Sequence, residues 1–91
     1  MIICAAIKLE KENDSLIICG HRHSNCFNVF ANMATDWHKA KKIQGFINHK
    51  GEFLDRKEAF KYVQEIGQCT ATQRYYWEDH NQDELYSEDL Y

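Results

Sequence analysis

The start of the chain constrains its fold most. In an extended conformation Ile2–Leu9 puts Ile3, Ala5, Ile7 and Leu9 on one side and Ile2, Cys4 and Ala6 on the other. That pattern suits a strand buried on both sides, because apolar groups on either face gain by leaving water. Lys11-Glu12-Asn13-Asp14 then reads as a turn and Ser15–Cys19 as a second short strand, a β-hairpin that stops at Gly20. The chain has no proline and only four glycines, so Gly, Asn and Asp supply its turns.

Downstream the apolar period changes. With Ser24 as N-cap, Cys26, Phe27, Phe30, Met33, Ala34 and Trp37 fall at helical spacing. The spacing predicts an amphipathic helix from about Asn25 to Lys39, with Lys39, Lys41 and Lys42 at the negative end of its dipole. Ile43–Asn48 is a third strand, His49-Lys50-Gly51 a turn and Glu52-Phe53-Leu54 a short extended piece. A second helix follows, with Asp55 at N-cap and Glu58 at N3 as a capping box. Ala59, Phe60, Val63 and Ile66 form its buried stripe and Gly67 its stop. From Gln68 to Tyr91 periodicity is lost, and five aromatics are mixed with acidic residues. The expected fold is therefore α+β, a small antiparallel sheet in the order β-β-α-β-(β)-α with two helices on it and a docked C-terminal tail. Residues 1–76 are expected to form one domain, and residues 77–91 an acidic aromatic tail docking on it or on a neighbouring subunit.

Charge divides along the same line. Eleven Lys and Arg against fourteen Asp and Glu give a net charge of −3, which argues against a binder of long nucleic acid. All eleven basic residues lie in 1–76 with eight acidic ones, net +3, whereas residues 77–91 carry six acidic side chains and no basic one. The longest apolar run, Met1–Ile7, is too short to span a bilayer, and no basic region or small-residue cleavage site marks a secretion signal. A cytoplasmic protein without membrane contact is expected, with Cys4, Cys19, Cys26 and Cys69 as free thiols.

Several residues invite a chemical role. Cys19, His21, His23 and Cys26 are zinc-ligand types within eight residues, but alternating positions at a strand end point to opposite faces, so no metal is expected. Gly20-His21-Arg22-His23-Ser24 precedes a helix, where free N–H groups, the dipole, an Arg and two His favour an anion such as phosphate; a solvated turn is the plain alternative. Gly45 in a strand lets another group approach the backbone, and Phe46 beside it is either a base-stacking ring or a core residue. Arg56 at the first position of a helix is unfavourable for the dipole, which a bound anion would explain; otherwise it is a surface Arg. No nucleophile elbow, H-E-x-x-H, Walker or C-x-x-C pattern is present, so a non-enzymatic role is expected, with His21 and His23 the one acid–base pair a phosphodiesterase would use.

The order of G-x-R-H-x-x-C at Gly20–Cys26, Q-G-F-x-x-x-x-G-x-F-x-x-R-x-E-A at Gln44–Ala59, G-Q at Gly67-Gln68 and L-Y-S-E-D-L-Y at Leu85–Tyr91 resembles a widespread family of small phage proteins. It is identified with the anti-CBASS sponges, oligomeric phage proteins that sequester cyclic dinucleotide immune signals; anti-Thoeris sponges are the neighbouring possibility. The resemblance implies a protein of the infected host's cytoplasm that binds a cyclic nucleotide, a cyclic dinucleotide above all, without cleaving it and without a cofactor. Phosphate would fall to Gly20, His21, Arg22, His23 and Arg56, and base stacking to Phe46, Tyr75, Tyr76 or Tyr91. Glu88 and Asp89 either read guanine N–H groups or cap a neighbour's Lys or Arg. A sponge must bind at nanomolar affinity, about −12 kcal/mol, more than a shallow groove on one small monomer readily supplies, so a homodimer or tetramer is expected. A protein-binding inhibitor of a host defence enzyme is the alternative class, and a small phosphodiesterase a third.

Overall fold

The computed structural model describes residues 1–33 and 37–90. Strands β1 (Ile2–Lys11), β2 (Asp14–Gly20), β3 (Lys41–Asn48) and β4 (Phe53–Asp55) form one antiparallel sheet in the order β2-β1-β3-β4. Helices α1 (His23–Ala31), α2 (Arg56–Glu65) and α3 (Ala71–Asp79) and a 3-10 turn at Ser87–Asp89 accompany it. The α+β class and the antiparallel sheet are as the sequence predicts.

β1 is central because its inward side chains are the most apolar in the sheet. Ala5, Ile7 and Leu9 are fully buried, and Ile18 and Phe46 join them from the neighbouring strands. α1 covers β2 and β1, while α2 covers β3 and β4. One expectation for β1 is corrected. A bulge between Ile2 and Cys4 shifts the alternation, so Ile2 enters the core while Ile3 is 54% exposed. The helices described here also pack on one face of the sheet only, leaving the face that bears Cys4, Ala6 and Lys8 without a helical layer. There Ala6 and Ile47 are buried yet stand apart from the main core. Gly45 explains part of that burial: a Cβ on it would lie 2.7 Å from Cζ of Phe53 and 2.1 Å from the Leu54 carbonyl, so the bare glycine is what lets β4 and the Phe53 ring close in.

α1 departs from expectation at both ends. Its N-cap is Arg22, whose N–H donates to Asn25 Oδ1 at 3.0 Å, and Ser24 lies inside the helix. The helix stops at Ala31, where Asn32 Nδ2 donates to the Asn28 carbonyl at 2.9 Å; two asparagines and Val29 are weak helix formers and hold the last turn loosely. Met33 and Trp37 pack against the core from the connection, which is why apolar spacing outlasts the helix. Ala34 of the expected stripe lies outside the described residues. Lys41 and Lys42 do not serve the helix dipole but begin β3, opposite Glu10 and Leu9.

α2 follows its signature. Asp55 Oδ1 accepts from the Glu58 N–H at 2.8 Å, Glu58 Oε1 accepts from the Asp55 N–H at 3.0 Å, and Gly67 adopts φ +74° beyond the end. Ala59 and Val63 are buried, but Ile66, expected in the stripe, sits at the C-cap and is exposed. α3 is a helix in the stretch after Gln68 where the sequence shows no period. A second capping box, Thr70 with Gln73, starts it, and Trp77 is the one buried side chain of its nine residues, packed on Phe60 with ring centroids 4.9 Å apart. One anchor leaves no apolar period to read. Gln68 itself behaves like a strand residue: its side-chain amide accepts from the Ile2 N–H at 2.7 Å and donates to the Ile2 carbonyl at 2.9 Å.

Candidate functional site

The candidate site gathers where α1, β3, α2 and the C-terminal segment meet. His23 opens α1 and turns its ring inward, 6% exposed, because Gly45 and Ser87 offer polar partners there. Its Nε2 lies 2.7 Å from the Gly45 carbonyl, which only accepts, so Nε2 carries the proton. Nδ1 then accepts from the Ser87 hydroxyl at 3.3 Å. The ring meets Phe46 edge-on at 5.0 Å. Burial pushes the imidazole pKa down and the nearby Arg56 cation adds to that, outweighing the Gly45 hydrogen bond among the opposing effects and keeping the ring neutral at pH 7. His23 is thus a packed, hydrogen-bonded hinge pin between three elements, with both nitrogens spent inside the chain.

Arg56 borders this cluster. As first residue of α2 it places its guanidinium 4.8 Å from the centre of the Tyr86 ring, a cation–π distance. Its carbonyl accepts from the Leu85 N–H at 3.0 Å, which ties the C-terminal segment to the start of α2. Arg56 Nε is buried and has no hydrogen-bond partner among the described residues. Beside it lies an open cleft of about 380 Å³, where Lys42 and Gln44 from β3 and Lys57 from α2 stand with Arg56. Arg56 and Lys57 at a helix start suit an anion, while the Lys42 ammonium donates to the His38 carbonyl at 3.4 Å and lies 4.8 Å from the centre of the Phe30 ring. Asp55 and Glu84 also line the cleft and restrict where an anion can sit, but the Asp55 carboxylate is already engaged with Glu58.

The remaining predicted residues separate. Gly20, opposite Ala5 at the end of β2, packs so closely on α1 that a Cβ would lie 2.9 Å from that of Asn25. His21 is exposed and Arg22 half-buried at the start of α1, and neither lines the Arg56 cleft. Phe46 is fully buried and offers no face to a base. Glu88 is exposed and close enough to His23 to bias its titration. Asp89 is committed within the fold: its carboxylate accepts from Trp77 Nε1 at 3.4 Å, Gln82 Nε2 at 3.0 Å and the Tyr86 N–H at 2.9 Å. Tyr91 lies outside the described residues. Cys19 is exposed on the open sheet face while Cys26 is buried beneath α1, and no group of three or more potential metal ligands converges among the described residues. Cys4, half-buried beside Cys19, has its thiol pushed up to about 11, chiefly by burial and then by its neighbour.

Sequence reasoning missed Lys42, Lys57, Tyr86 and Ser87. Lys57 follows Arg56 directly, and Tyr86-Ser87 falls within the terminal L-Y-S-E-D-L-Y block, so both had a local trace. Lys42 had none, since only the β3 register brings it there.

The family described as "Phage T4 y16D protein" matches residues 1–91. No curated protein and no solved structure matches the chain.

Proposed function

The chain belongs to the Phage T4 y16D protein family, and from that premise we propose that this small phage protein binds and sequesters a cyclic nucleotide immune signal in the cytoplasm of the infected host. The observation that carries this reading is Arg56, a guanidinium with a buried, unpaired Nε, set on Tyr86 beside Lys42 and Lys57. A cyclic dinucleotide presents two phosphates and two flat bases. Arg56 with Lys57 suits one phosphate, and Tyr86, 39% exposed, is the aromatic surface at hand for a base. Binding without turnover is the simplest role, since His23 is sealed in the fold and a sponge works by mass action.

Calorimetry against a panel of cyclic di- and trinucleotides tests it. At least one ligand binds at nanomolar affinity, and chromatography after denaturation recovers it intact. Arg56→Ala weakens binding by about ten- to a hundredfold, as loss of a charge-assisted contact worth about 1.5–3 kcal/mol requires. Absence of binding to every ligand rejects the proposal.

A second reading has its own observation. Tyr75 is 74% and Tyr76 54% exposed on α3, with Glu78 and Asp79 beside them. Exposed tyrosines among carboxylates suit a basic protein surface, and an inhibitor of a host enzyme would use them.

A further inference from the structure

The pairing of β1 with β2 brings together two thiols that stand fifteen residues apart in the chain. Ala5 lies opposite Gly20 and Ala6 opposite Cys19, so Cys4 and Cys19 are diagonal neighbours on the sheet face away from the helices described here. Both thiols are free, Cys4 half-buried and Cys19 exposed, and they share a hydrogen bond. We infer that Cys4 and Cys19 together form a two-coordinate site for a soft monovalent cation such as Cu(I), held between the two sulfurs.

Geometry favours an ion over a disulfide. Diagonal neighbours on paired strands sit about 7–8 Å apart, at or beyond the ~7 Å between Cα atoms that a disulfide bridges without backbone movement. Two thiols already in hydrogen-bond contact need only small side-chain rotations to open the ~4.5 Å that two metal–sulfur bonds of about 2.3 Å span end to end. The donor set then selects the ion. Thiolate sulfur prefers Cu(I) to hard cations. A structural zinc takes four ligands, and no third His, Cys, Asp or Glu completes a group with this pair among the described residues. Cys26 lies in the core on the other side of the sheet, where its Sγ donates to the Ala5 carbonyl at 3.7 Å. Electrostatics agrees with the geometry. Burial and then Cys19 push the Cys4 thiol up to about 11, because a thiolate there is poorly solvated and meets a second sulfur. A cation between the sulfurs removes that cost: each thiol releases its proton to water, both sulfurs bond to the ion, and the ion keeps its oxidation state. The site does not rest on the cyclic nucleotide reading, since neither cysteine lines the Arg56 cleft.

Competition for Cu(I) between the reduced full chain and a chromogenic Cu(I) chelator, without oxygen, is the experiment. The wild type takes one Cu(I) per chain from the chelator. Cys4→Ser and Cys19→Ser each lower the affinity about a hundredfold or more, since each removes one of two ligands, whereas Cys69→Ser leaves it unchanged. Should Cys4→Ser fail to fold, alkylation of the wild type decides: Cu(I) protects Cys4 and Cys19 from iodoacetamide and leaves the rate at Cys69 as it was. No uptake of Cu(I), one Cu(I) shared by two chains, full affinity in Cys19→Ser, or no protection of Cys4 overturns the inference.

Discussion

His23 shows how one side chain organises this molecule. Its ring joins α1 to β3 through Gly45, which takes the proton on Nε2, and to the C-terminal segment through Ser87, whose hydroxyl donates to Nδ1 of the neutral ring. Its pKa lies below the ordinary 6.5, so the unfolded chain takes up a proton more readily than the folded one. The stability this group contributes is complete above about pH 6.5 and is lost as pH falls below it toward the lowered folded value. Thermal melts at about pH 7.5 and about pH 5 therefore differ more for the wild type than for His23→Gln, whose amide keeps a donor for Gly45 and does not titrate. Equal differences in the two proteins would assign the acid sensitivity to other groups. At this scale the sequence showed a histidine before a helix, and nothing in it said that the ring turns inward. That choice depends on a glycine carbonyl and a serine twenty-two and sixty-four residues away.

Among the elements, legibility follows the strength of the local signal. α2 has a capping box, a stripe and a left-handed glycine stop, and it was read closely from those alone. α3 has only the capping box, with Thr70 Oγ1 accepting from the Gln73 N–H at 3.1 Å, and was missed because its aromatic residues, apart from Trp77, face solvent. The cap accordingly matters more to α3 than burial along its length. Thr70→Ala is expected to cost about 1 kcal/mol in urea unfolding. α1 erred in the other direction: apolar residues kept helical spacing after the asparagines had ended the helix. Periodicity reports which residues turn toward a core, and a connection that packs on that core produces the same period as a helix.

The whole molecule is closed by its C-terminal segment. Leu85 is fully buried in the main core and its N–H donates to the Arg56 carbonyl, while Asp89 collects hydrogen bonds from Trp77, Gln82 and Tyr86. The acidic stretch is thus part of the fold, and it sets Tyr86 against the Arg56 guanidinium and Glu84 in the cleft beside it. Leu85→Ala should destabilise the protein by about 2–5 kcal/mol, read as a lower urea midpoint, because the cavity it leaves lies where α2 and the C-terminal segment join. A change below about 0.5 kcal/mol would show instead that the segment rests on its hydrogen bonds.

The amino-acid sequence alone determined the fold class, most strand positions, the turn glycines and the caps of α2, because each depends on groups within a few residues of one another. It also marked Arg56 as misplaced for a helix start. Only the tertiary structure decided that Arg56 meets Tyr86 and shares a cleft with Lys42, that His23 and Phe46 are interior, and that Asp89 serves the fold. These outcomes depend on strand register and on a segment returning from thirty residues downstream, and no local pattern encodes them. β1 holds both lessons: its sequence states that both sides resist water, and the fold decides that helices cover one of them while the other buries Ala6 without a helical layer.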